Sequence, residues 1–156
     1  MIHSELITKA FVVFAIEAAA KPSVTLRGGN ALDDYNEPAP FDPTADELSE
    51  GYFEKYSWGI GYLDSASWRH YLPHLIEYSI RHLNQGGLVV DSFLNSLRPP
   101  DREPPRLASL NSEQESVVTE FLEVLAFEEQ SAHKELACQV LEEWWLPGAL
   151  YRGQTV

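Results

Sequence analysis

Apolar residues near the start of the chain recur at the spacing of one helical face. Leu6, Ile7, Ala10, Phe11, Phe14, Ala15 and Ala18 keep the i, i+3, i+4, i+7 pattern. Ser4 is placed to cap this helix and Pro22 lies just past its end. Val12, Val13 and Ile16 widen the stripe, which predicts a well-buried helix. Near the other terminus Val117, Val118, Phe121, Leu122, Val124 and Leu125 trace a second stripe. Ser112 is its expected N-cap, with Glu115 three residues on as a capping box. A further helix runs through Leu136, Ala137, Val140, Leu141 and Trp144 and ends at Pro147-Gly148. Thr25 can open a short helix before ALDDY, although Gly28-Gly29 weakens it by about 1 kcal/mol per glycine.

The middle of the chain carries its most mixed stretch, LDSASWRHYLPHLIEYSIRHL. On a helical wheel Trp68, Leu72, Leu75, Ile76 and Leu83 share one side, and His70, His74, Glu77 and Arg81 the other. Pro73 donates no hydrogen bond and its ring clashes with the carbonyl four residues back. A helix ending near Tyr71 and a new one with Pro73 in its first turn are therefore expected. Asp64 is placed to cap the segment. No run alternates at period two. The reading is all-α, a single compact bundle of about five to seven helices spanning residues 1–156, its core built on Phe11, Phe14, Trp68, Leu72, Leu75, Phe121, Leu125, Leu141 and Trp144.

Two punctuated segments interrupt the helical pattern. Residues 33–54 hold eight carboxylates, no basic residue, and Pro38, Pro40 and Pro43. This reads as an exposed acidic loop with a short helix starting near Thr44. Residues 98–106, RPPDREPPR, read as an extended surface loop.

Charge then narrows the function classes. The chain has 156 residues, with 11 Lys+Arg against 24 Asp+Glu, a formal net charge of −13. So negative a surface argues against nucleic acid as a partner. It suits a basic protein. The one cysteine, Cys138, cannot form an internal disulfide, which points to a reducing, cytoplasmic setting. Glu5 and Glu17 spoil the N-terminal run as a signal sequence, and it is too short to span a membrane.

Candidate chemistry is sparse. His70 and His74 with Glu77 have a legitimate zinc spacing, but the break expected at Pro73 separates them and further ligands are missing, so neither metal nor cofactor is expected. No G-x-S-x-G surrounds Ser65 or Ser67, Gly59 and Gly61 make no phosphate loop, and DDYNEP lacks the glycine and closing glutamate of a calcium loop. Arg69 has two readings: a bidentate pair with Asp33 or Asp34 that pins the acidic loop, or recognition of an anion. Of Trp144 and Trp145 one ring enters the core, and the other marks an interface or packs under Tyr151 and Arg152.

The block Leu63, Asp64, Ser65, Ser67, Trp68, Arg69, His70, Tyr71, Leu72 and Pro73 is similar to the pattern LDA-x-G-[FW]-R-[FY]-YLP-A. That pattern belongs to a family of small uncharacterised bacterial proteins of unknown function. ALDDY, Ala31 to Tyr35, and the opening of the late helix, LNSEQESVVTEFLEVLA, resemble the same family in the same order. Ser67 stands where glycine is expected, His70 where an aromatic is, and His74 where a small residue is. The resemblance implies no activity.

Two functions are left. One is a non-catalytic cytoplasmic protein-interaction domain, of immunity or inhibitor type, that meets a basic partner through Asp42, Asp46, Glu47 and Glu50, with Tyr35, Phe41, Tyr52 and Phe53 as aromatic anchors. The alternative is a small enzyme or ligand-binding domain with a pocket near Arg69, His70, Tyr71 and His74.

Overall fold

The computed structural model describes residues 3–152, and within them the chain is helical, with no strand. Eight α-helices occur in order: α1 (Ser4–Val13), α2 (Ala15–Ala19), α3 (Leu26–Asp33), α4 (Glu50–Lys55), α5 (Ser65–Arg81), α6 (Leu88–Ser96), α7 (Ser112–Phe127) and α8 (Lys134–Val140). Six of them have seven residues or more, and a 3₁₀ turn, Ser57–Tyr62, joins α4 to α5. α5 is the axis of the bundle. α1 and α2 lie on one side of it and α6 on another, while α7 packs on α1 and α8. Trp68, Tyr71, Leu72, Leu75 and Ile76 of α5 are buried against Phe14, Phe93, Phe121, Leu125 and Leu141 in one apolar cluster.

The expected break at Pro73 does not occur. α5 runs unbroken from Ser65 to Arg81, although an interior proline costs about 3 kcal/mol. Pro73 is itself buried, and ten residues of this helix lie in the interior. Burying that face, at about 1.5–3 kcal/mol for each large apolar side chain, outweighs one lost hydrogen bond. Asp64 does sit at the N-cap, but its carboxylate makes no cap bond; it accepts from Ser23 Oγ at 3.1 Å. Ser67, the residue in place of the pattern's glycine, is fully buried and accepts from the Val24 amide.

Other helix ends shift by a residue. His3, not Ser4, is the N-cap of α1, and Asn111 with Gln114, not Ser112 with Glu115, forms the capping box of α7. Val12 and Ile16 face solvent at 68% and 86% exposure; α1 buries one face only, and no residue of α2 is fully buried. Phe11 is half-buried and meets the His74 ring edge-on.

The helical path of α8 stops just before Pro147-Gly148, as expected, but its last turn is not α-helical. A single π-type turn, Leu141–Trp145, continues α8. The wider turn rotates the side chains at its end, and Trp145, not Trp144, enters the core and donates its indole N–H to the Leu97 carbonyl at 3.0 Å. Trp144 is left half-buried beneath the Arg152 guanidinium, 5.0 Å from its ring.

The glycines of α3 have a specific use. Thr25 caps the helix, accepting from the Gly28 amide at 2.8 Å. A Cβ on Gly29 would lie 2.4 Å from the Gly59 carbonyl oxygen, and one on Gly59 would lie 2.1 Å from that of Leu26. Backbone meets backbone between α3 and the 3₁₀ turn. Only glycine permits it.

Candidate functional site

The acidic segment is held by one buried carboxylate. Asp46 is 4% exposed and takes a bidentate pair from Arg27, Nε to Oδ1 at 3.1 Å and Nη2 to Oδ2 at 2.9 Å. The Tyr52 hydroxyl donates to the same carboxylate at 2.8 Å, as does the Asp42 amide at 2.9 Å. Burial works against the charged form of Asp46. The bonds from Arg27, the Asp42 amide and Tyr52 outweigh it and hold the pKa below the usual value. Arg27 also reaches the Pro40 carbonyl, which ties both halves of the loop to α3.

Asp46 was expected to face a partner; it lies inside the protein because it is the acceptor of this clamp. The pin expected between Arg69 and Asp33 or Asp34 therefore exists with different residues. Arg69 lies 3.7 Å from Glu17, and Asp33 accepts from the Tyr62 hydroxyl at 2.8 Å.

Around the clamp the backbone is fixed without regular structure. The Asp42 carboxylate accepts from the amides of Thr44 and Ala45, and it is held below the usual value by those two bonds. The helix expected near Thr44 is a hydrogen-bonded turn; α4 starts at Glu50, capped by Ser49. Asp34, Glu37, Asp42, Glu47, Glu50 and Glu54 are exposed. Tyr35, at 99% exposure, stands free, while Phe41 is half-buried with the Lys21 ammonium 5.9 Å from its ring. Tyr52 and Phe53, also expected as anchors, are core residues at 6% exposure.

The side chains of Arg69, His70, Tyr71 and His74 each have their own contacts, and Arg69 is the one paired with Glu17. Tyr71 is buried, and its hydroxyl accepts from the Leu26 amide at 3.2 Å. His70 Nδ1 lies 3.0 Å from the Glu17 carbonyl, and burial lowers its pKa. His74 lines a cleft of about 230 Å³ beside Glu50 and Glu77. Its pKa is brought down to about 4, chiefly by burial, with His70 adding to the effect and Glu77 opposing it.

With α5 unbroken, the His70 and His74 rings do share a face, 6.3 Å apart. Among the described residues no group of three or more His, Cys, Asp or Glu side chains is placed to hold a metal ion. No described helix is long and apolar enough to cross a membrane.

Sequence reasoning missed Arg27 and Arg106. Arg27 stands between two separate features, the Thr25 cap and ALDDY, and its signal was its isolation beside so many carboxylates. Arg106 is 4% exposed and sits in a segment whose prolines and charges suggest surface. It donates to the carbonyls of Ile60, Gly61 and Leu63.

Neither a curated protein nor a solved structure matches the chain. Residues 2–149 match the model described as "Family of unknown function (DUF6714)", and the chain belongs to that family.

Proposed function

We propose that this protein is a non-catalytic, cytoplasmic interaction domain that meets a basic protein through its acidic segment. The observation that carries the reading is the Arg27–Asp46–Tyr52 clamp. It fixes a loop whose four exposed carboxylates, Asp34, Glu37, Asp42 and Glu47, would otherwise sample many conformations. A surface ordered in advance loses less entropy on association, and its field reaches about 8–10 Å at physiological salt. Tyr35 supplies an exposed aromatic within the charged rim. Immunity or inhibitor proteins that neutralise a basic toxin are one class with these requirements. Asp42, Glu47 and Glu50 form the partner-facing set, and Asp46 supports them from inside.

The test places a photo-crosslinking residue at position 47 and, separately, at position 120 on α7, in the native host. Adducts with a basic protein should form from position 47 and fade as salt is raised. Replacing Asp42, Glu47 and Glu50 by their amides should slow association with that protein and flatten its salt dependence. Equal adducts from both positions, or association rates unchanged at low salt, would refute the reading.

A further inference from the structure

Away from the acidic surface, the segment after α6 closes a cleft of about 390 Å³ against the 3₁₀ turn. Three arginines line it, Arg98, Arg102 and Arg106, out of only 11 basic residues in the chain. Trp58 and Tyr62 of the 3₁₀ turn line it too, 56% and 41% exposed.

The three arginines differ in what they have left to give. Arg98 is neutralised by Glu143 through bonds of 2.8 and 3.0 Å. Arg106 is buried against backbone carbonyls. Arg102 is exposed and donates through Nη1 alone, to the carbonyls of Gly61 at 2.6 Å and Leu63 at 3.2 Å. Its Nε and Nη2 have no protein acceptor among the described residues, and no described carboxylate lies within 4.0 Å of the Arg102 or Arg106 guanidinium.

Arg102 and Arg106 thus crowd two positive charges onto the same two carbonyls. Burial, and after it the charge of Arg102, brings Arg106 down to about 10. The nearby Asp101 carboxylate is occupied by the amides of Arg102, Arg106, Leu107 and Ala108. An anion at Arg102 would offset this repulsion.

We propose that the cleft binds a small monocarboxylate carrying a planar apolar group, with its carboxylate on the free edge of Arg102 and its ring against Trp58. The volume is that of a small-ligand site. A guanidinium edge matches a planar carboxylate, and an exposed indole face offers a stacking surface. Asp33 and Asp101, both in the lining, disfavour a dianion such as phosphate.

The probe is benzoate, titrated into the isotopically labelled full chain while the Trp58 indole N–H resonance is followed. Benzoate should shift it saturably, with a dissociation constant of about 1 mM or tighter. Benzamide and inorganic phosphate should bind more weakly. Arg102→Gln should weaken benzoate about tenfold or more, the loss of charge-assisted hydrogen bonds, and the variant's thermal transition shows whether it folds. If it does not fold, Trp58→Ala, at an exposed position, tests the same cleft by calorimetry and should also weaken benzoate. Absence of saturation, equal binding of benzamide, tighter binding of phosphate, or unchanged affinity in the folded variants would overturn the proposal.

Discussion

The loops that form at the two punctuated segments, 34–49 between α3 and α4 and 97–111 between α6 and α7, are both held by arginine, and by opposite logic. In the first, a helix supplies the cation and the loop supplies the anion: Arg27 of α3 grips Asp46. In the second, the loop supplies the cations. Arg102 and Arg106 take backbone carbonyls of the 3₁₀ turn, while Asp101 collects four backbone amides of its own loop. One segment is fastened by charge to charge, the other by charge to peptide dipole. A charge pair can be exchanged for an apolar pair that fills the same space, because both charges leave together, although here the Tyr52 hydroxyl and the Asp42 amide also lose their acceptor. A charge on carbonyls cannot, because the carbonyls stay behind and still need donors.

The sharpest way to break this contrast is Arg106→Met. It removes the donor to the Ile60 carbonyl and most of the supply to Leu63, and unfolding by urea should show a loss of about 3–4 kcal/mol. No apolar partner substitution should restore it. Asp46→Leu comes next, at about 2–3 kcal/mol, because Arg27 is left without its counter-ion in a partly buried place. Here the double variant Arg27→Met/Asp46→Leu should recover at least half of the loss in the same denaturation series. A double variant no better than Asp46→Leu alone would mean that the two fastenings obey the same rule.

Acid has a smaller effect, and down to pH 4 it acts on α5 and not on either segment. His74 has an ordinary value of 6.5 and is held at about 4 when folded, and His70 is lowered in the same sense. Between those values the unfolded chain binds protons that the folded chain refuses, so stability is complete above about pH 6.5 and is lost as pH falls through about 4. Asp46, also lowered, adds its loss below the ordinary carboxylate value of 3.8. Arg106, at about 10, stays charged throughout and contributes no slope here. Unfolding free energies from urea titrations at pH 7 and pH 4 should differ by about 2 kcal/mol, and His74→Gln should flatten the change.

The fold class was legible because packing obeyed periodicity where helices are long. Phe121, Leu122 and Leu125 on α7, and Trp68, Leu72 and Leu75 on α5, are buried as their spacing requires. The misreadings share a cause, which is that a local rule was outvoted by the core. Asn111-x-x-Gln114 and Ser112-x-x-Glu115 both satisfy the capping pattern. What selects the first is Gln114, 2% exposed, whose amide reaches the Val13 carbonyl and Glu17 across the bundle. Pro73 obeys the same vote.

The tryptophan pair takes the order opposite to its spacing because a π-type turn leaves no mark in a 3.6-residue pattern. The expected surface set was half legible: its charge is visible in composition, but that Asp46 turns inward depends on Arg27, 19 residues away. The cleft was not legible at all. Arg102 and Arg106 look like solubilising charges until the fold brings the 3₁₀ turn beneath them.

The contact between Gly29 and Gly59 decides how far this chain can be recoded. A library that randomises the acidic loop edits exposed side chains, and most of its members should keep the fold. A library that touches either glycine does not, since even alanine at position 59 would drive its methyl into the Leu26 carbonyl, 2.1 Å away. The least permissive point of the molecule therefore carries no functional group. An engineer can rewrite what the surface presents, provided two hydrogen atoms stay where they are.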